Sequence, residues 1–162
     1  MITSFSKMDK SSRVWIYQSN RKLIDFELKE IEESICLFLN NWTAHGSELQ
    51  TAYKIKYNRF IIIALNESDT SATGCSIDKC VHFIQDLEEK YEIDLLDKMN
   101  ISFKQGEYVS YKSINDFKKL VKDKSVSKKT IVFNNLVVDI QDFIKNWEIA
   151  AERSWHARFF NS

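Results

Sequence analysis

The chain contains no proline and only three glycines, Gly46, Gly74 and Gly106, in 162 residues. A phosphate-cradling P-loop needs a glycine-rich turn that closes on Gly-Lys-Ser or Gly-Lys-Thr. Here the glycines are followed by Ser47, Cys75 and Glu107, so neither that loop nor a GxGxxG dinucleotide fingerprint can be drawn. Nucleotide hydrolysis by the P-loop mechanism is excluded. The lack of proline also removes the cis-proline that a thioredoxin-type site carries. Cysteine is scarce as well: Cys36, Cys75 and Cys80, with no CxxC pair. An odd, small number of cysteines reads as reduced thiols rather than a disulfide framework.

An excess of one charge is missing too. Lys plus Arg number 23 and Asp plus Glu number 23, so the formal net charge is zero. A protein that holds nucleic acid or an anionic membrane mainly by charge is basic, so neither partner is expected. The longest unbroken apolar run, Phe60 to Leu65, falls far short of the roughly 20 residues of a membrane span. Residues 1–13 hold no apolar core of the kind a secretory signal needs, so a cytoplasmic location is expected.

What the chain does have is 44% hydrophobic and 13% aromatic residues. That is enough to build a packed core, and the length suits one domain. Residues 1–12 are polar and read as a flexible N-terminus, leaving a single domain over 13–162. Arg13 to Ser19 is aromatic and β-branched, as a strand is. From Asp25 to Trp42, Leu28, Ile31, Ile35, Phe38 and Trp42 recur at spacings of 3 and 4, one apolar stripe of a helix. Asp25 is the expected N-cap, and Gly46 sits near the left-handed position that ends a helix.

Ala52 to Tyr57 alternates apolar and lysine-bearing positions, as an edge strand does. Phe60 to Asn66 is apolar on both parities, as a central strand is. A second helix is expected from Ser76 to Tyr91, with Ile77, Cys80, Ile84, Leu87 and Tyr91 as its stripe. Residues 101–104 and 107–111 flank Gln105-Gly106 as a hairpin. Ser113 caps a short helix through Lys124. Thr130 to Val137 reads as a last strand, Asp139 as the cap of a final helix through Trp147, and an aromatic tail runs to Phe160.

The first six elements run strand, helix, strand, strand, helix, strand. That order predicts an α+β fold with a ferredoxin-like split βαβ core over 13–104, an antiparallel sheet with two helices on one face. Residues 105–162 are then a C-terminal β/α extension.

The strings VWIYQS (14–19), WTAHG (42–46), GCSID (74–78), IVFNNLV (131–137) and SWHARFF (154–160) span nearly the whole chain. Together they resemble a family of short, uncharacterised bacterial proteins whose members are often labelled "ABC transporter ATPase". The resemblance implies a family identity and no established chemistry. Neither a Walker A motif nor an LSGGQ-like signature is present, so ATPase activity is not carried over.

In the split βαβ, the end of the first helix and the start of the second lie at the same end of the sheet. That topology brings Trp42, His45 and Gly46 towards Gly74, Cys75, Ser76 and Asp78. Cys75 at a helix start, with His45 as base or countercharge, is the pattern of a thiol nucleophile or redox sensor. The alternative is a small loop residue, with Ser76 as N-cap and Asp78 as a favourable first-turn acid. The N–H groups of Gly74-Cys75-Ser76 would also suit a phosphate or carboxylate, although Asp78 already occupies that positive end.

Cys75, Cys80, His45, His82 and His156 offer ligand types for zinc, but Cys80 lies on the apolar stripe, and neither a metal nor a cofactor is expected. Asp78 and His82, one turn apart, suit an exposed surface pair. Trp147, Trp155, His156, Phe159 and Phe160 read as a lid over an open sheet face, or as a docking surface. Lys118, Lys119, Lys122, Lys124, Lys128 and Lys129 form a basic stretch, and residues 86–97 an acidic one; each reads as a solvated face.

The expected function is a non-enzymatic binding or adaptor domain, for an unknown protein or small molecule. Trp42, His45, Gly74, Cys75, Ser76, Asp78, Trp155 and His156 are its candidate binding residues. A thiol enzyme centred on Cys75 and His45, and an anion site at residues 74–76, are the alternatives. A homodimer stays open.

Overall fold

A computed structural model describes residues 1–161. The fold is mixed α and β, with antiparallel sheets and four α-helices among the described residues. The chain divides into two compact units, residues 1–96 with 138–141, and residues 97–137 with 142–162.

The first unit holds β1 (Arg13–Gln18), α1 (Asp25–Asn41), β2 (Thr43–Ala44), β3 (Ser47–Glu48), β4 (Gln50–Lys56), β5 (Phe60–Asn66) and α2 (Gly74–Tyr91). Its main sheet has the order β1-β5-β4, antiparallel throughout. β5 is the central strand, and every residue from Phe60 to Leu65 is buried. Ile61, Ile63 and Leu65 share one face of β5, because side chains alternate along a strand. They pack in one core with Ile31, Ile35 and Leu39 of α1 and Cys80, Ile84 and Leu87 of α2. Both helices therefore lie on the same face of the sheet, as the two periodic stripes require.

The fourth strand expected for this sheet is elsewhere. Residues 101–104 pair with other strands in the second unit. The edge of β1 that would have received them is bound instead by the segment 138–141. The Val14 N–H donates to the Val138 carbonyl at 3.0 Å, Arg13 bridges Asp139, and the Ile140 N–H donates to the Ser12 carbonyl at 3.0 Å. Those bonds occupy the start of that edge of β1, at Ser12 to Val14. The N-terminal residues, expected to be flexible, border β4: the Thr3 N–H donates to the Thr51 carbonyl, and the Thr51 N–H to the Met1 carbonyl.

Helix boundaries differ from the expectation for local reasons. The N-cap of α1 is Ile24, and Asp25 is the first helical residue. Glu27 performs the capping instead: its carboxylate accepts from the Ile24 N–H at 3.0 Å and from both terminal nitrogens of Arg21 at 2.8 and 2.7 Å. Gly46 does not end the helix. His45 and Gly46, at φ 53° and 75°, form the tight turn between β2 and β3. α2 starts two residues early, at Gly74, with Thr73 as its N-cap. The Thr73 hydroxyl accepts from the Ser76 N–H at 3.0 Å, and the Thr73 N–H donates to Ser76 Oγ at 2.8 Å. That reciprocal pair is a capping box.

The second unit holds β6 (Asn100–Gln105), β7 (Tyr108–Ser113), α3 (Ile114–Lys122), β8 (Ile131–Phe133) and β9 (Glu148–Ala150). Its sheet has the order β7-β6-β8-β9. β6 and β7 are the expected hairpin, and Ser113 caps α3 by accepting from the Asp116 N–H at 3.1 Å. β8 is shorter than the expected strand. It ends at Phe133, and the Val137 N–H donates to the Asn134 carbonyl at 3.4 Å, so residues 134–137 form a turn. α4 (Ile140–Asn146) follows Asp139. β9 has no counterpart in the expected elements. Two 3-10 helices, Ala151–Arg153 and Trp155–Phe160, complete the described chain.

Candidate functional site

The register of the first sheet fixes which segments share an end. Arg13 faces Leu65 and Gln50 faces Asn66, so β1 and β4 begin where β5 finishes. α1 ends at that same end, and α2 begins there. The link is direct: Trp42, 2% exposed at the end of α1, donates its indole N–H to the Ser76 carbonyl in the first turn of α2, at 2.8 Å. The Trp42 ring meets Trp15 edge-on at 6.1 Å and Phe38 at 5.5 Å, and Phe38 stacks on Phe83 at 4.5 Å. The convergence expected from topology is therefore made, and Trp42 and Ser76 are its contact.

The other candidates there have different roles. Ser76 is buried and sits inside the capping box, so it is no N-cap. Gly74 and Cys75 are exposed in the first turn of α2. Asp78 falls in the second turn, because the helix starts earlier than expected, and the first turn holds no acid. His45 is exposed at the tip of the β2–β3 turn. Among the described residues, neither the His45 imidazole nor the Cys75 thiol makes a hydrogen bond, to each other or to any third group.

The remaining sulfur atoms belong to packing. Cys80 is buried, its Sγ is 3.6 Å from the Tyr17 hydroxyl, and burial pushes its thiol up to about 11. Burial likewise raises the Tyr17 phenol. Cys36 donates to the Tyr53 hydroxyl at 3.5 Å, and Tyr53 donates to Glu32 at 2.7 Å. No group of three or more His, Cys, Asp or Glu side chains placed to hold a metal is found among the described residues.

Trp155 and His156 stand in the core of the second unit. Phe117 is the hub of that core, with Phe103 at 5.2 Å, Phe159 at 5.7 Å and His156 at 6.3 Å. The His156 ring is 1% exposed, lies against Trp155 at 4.0 Å, and its Nδ1 is 2.7 Å from the Ser154 hydroxyl. Burial, aided by the Arg158 charge, pushes the imidazole down to about 4. The tail rings thus fill the core around β6 and α3. Trp155 keeps partial exposure, with the Arg158 guanidinium 5.3 Å from its ring.

One cleft has no counterpart among the expected sites. It has a volume of about 350 Å³ and is lined by Met1, Glu48, Leu49, Gln50, Asn66, Asp69 and Thr70. These residues lie at the same sheet end, where β3 passes into β4 and where β5 opens into the loop before α2. The Asn66 amide donates to Gln50 Oε1 at 2.8 Å across the two strand ends, and the Met1 ammonium donates to the Leu49 carbonyl at 2.7 Å. The Glu48 and Asp69 carboxylates make no ion pair among the described residues. The only signal for this site in the chain is the polar loop Glu67 to Gly74 following an apolar strand, which by itself reads as a connection.

No helix among the described residues is long and apolar enough to cross a membrane. Comparison of the chain with protein-family models, with curated proteins and with solved structures found no match.

Proposed function

We propose that the chain is a binding domain whose ligand site is the cleft at the β4 start and β5 end, and that the ligand is a small polar molecule. The observation that supports this most is the cleft itself, which combines about 350 Å³ with a polar lining. Its floor is set by strand ends, which hold geometry better than free loops do. The Asn66–Gln50 amide bridge holds two lining side chains in place. The carboxylates of Glu48 and Asp69 offer acceptors at the rim. We read the scaffold as a split βαβ without its fourth strand, a reading supported by the β1-β5-β4 order and the two helices on one face.

Amide-resolved NMR with a library of small polar compounds tests the proposal. Ligands are expected to move the signals of Gln50, Asn66, Asp69 and Thr70, and Asn66→Leu is expected to weaken them. Compounds that bind only elsewhere, or none that bind, would overturn it. A substrate-dependent covalent change at Cys75 would return the thiol enzyme in its place.

A further inference from the structure

The zero net charge conceals a division. Residues 1–96 with 138–141 carry 11 Lys and Arg against 16 Asp and Glu, a net of −5. The second unit carries 12 against 7, a net of +5.

Each excess sits on an exposed helical surface. α1 and α2 together hold nine acidic residues against three basic ones. Their apolar stripes face the sheet, so the acids line the outer side of the helix layer. Glu33, Asp78, Asp86 and Glu89 are exposed there and make no ion pair among the described residues. In the second unit, α3 turns Ile114, Phe117, Leu120 and Val121 inward. Its outer side and the following turns present Lys118, Lys122, Lys124 and Lys128, exposed and likewise without an ion pair among the described residues.

We propose that the lysine face of α3 docks on the acidic helix layer of a second copy of this chain. Charge complementarity selects that occupant. The two excesses are equal and opposite. The face has no interleaved aromatic rings on which the bases of a single-stranded nucleic acid would stack. The two surfaces differ, so each contact pairs the lysine face of one copy with the helix layer of another. Attraction between exposed charges depends on screening, so the association belongs to low ionic strength.

Sedimentation velocity of the full chain tests this. In about 0.02 M NaCl the weight-average sedimentation coefficient is expected to climb with protein concentration, and in about 0.5 M NaCl to stay at the monomer value. The triple variant Lys118→Glu, Lys122→Glu, Lys124→Glu and the triple variant Glu33→Lys, Asp86→Lys, Glu89→Lys are each expected to be monomeric at low salt. Mixed together, they are expected to associate, with a dissociation constant at least about tenfold below that of either alone. Far-ultraviolet circular dichroism confirms that both fold. A wild-type chain that stays monomeric at low salt would overturn the proposal. So would association unaffected by the reversals, failure of the mixed variants to associate, or a lysine face that binds a DNA duplex while the chain itself remains monomeric.

Discussion

The indole N–H of Trp42 and the carbonyl of Ser76, 34 residues apart in sequence, meet at 2.8 Å in a buried site. One hydrogen bond thereby ties the end of α1 to the first turn of α2. Trp42→Phe keeps an aromatic ring beside Phe38 and Trp15, removes the donor and gives up part of the indole's volume. It is expected to cost about 1 kcal/mol, the ordinary net value of a buried neutral hydrogen bond. Trp42→Ala adds a cavity and is expected to cost about 3–5 kcal/mol. Urea unfolding of the three proteins checks both, and equal losses for the two variants would show that the bond rather than the packing dominates.

His156 makes stability depend on pH. Its folded-state pKa, about 4, lies below the ordinary 6.5. Between those values the unfolded chain binds the proton and the folded chain does not. The stabilisation is therefore complete above about pH 6.5 and is lost as pH falls towards 4, by about 3 kcal/mol in total. His156→Gln is expected to flatten that slope. Denaturant midpoints at pH 7, 5.5 and 4 test it, and an imidazole that titrates near 6.5 in the folded protein would contradict it.

Glu27 acts in the opposite region of the acid range. Arg21, held against it by two hydrogen bonds, keeps its carboxyl down at about 2, and the Ile24 N–H adds to that. A depressed carboxylate stabilises above its unfolded pKa, near 4.5, and loses that contribution as pH falls towards 2. Glu27→Ala removes the helix cap and the partner of Arg21 together, and about 1–2 kcal/mol is expected to go with them. Glu27→Gln keeps an acceptor for the Ile24 N–H and is expected to lose less. Thermal melts at pH 7 order the three proteins, and a Gln variant as unstable as the Ala variant would assign the whole effect to charge.

Much of the first unit is legible along the chain because burial repeats. Ile31 and Ile35 on α1, and Cys80, Ile84 and Leu87 on α2, recur at helical spacing, and the run Phe60 to Leu65 is apolar on both parities. Local pattern says what an element is and not which strand it pairs with. Residues 101–104 read correctly as a strand and join another sheet, since the competing partner for β1 lies far along the chain, at Val138. The α2 start is ambiguous for a different reason. Thr73 and Ser76 both carry hydroxyls three residues apart, and the capping box uses both. The cleft leaves no trace beyond the polar loop 67–74, because strand ends and that loop build it and no spacing rule links Gln50 to Asn66.

The thiols differ in access, and that difference tests the packing assigned to them. Cys75 is exposed, Cys36 is half-buried behind its bond to Tyr53, and Cys80 is buried against Tyr17. A thiol reagent added to the native protein is expected to label Cys75 first and Cys36 more slowly. Cys80 is expected to react only at the rate at which the core opens, so its labelling follows global unfolding. Tyr17→Phe removes the partner of its sulfur without changing the ring, so Cys80 is expected to stay protected. Mass spectrometry of the labelled peptides reads all three sites at once. Rapid native labelling of Cys80 would mean that the α2 stripe is not seated on β1 and β5, and the packing of both helices against one sheet face would have to be redrawn.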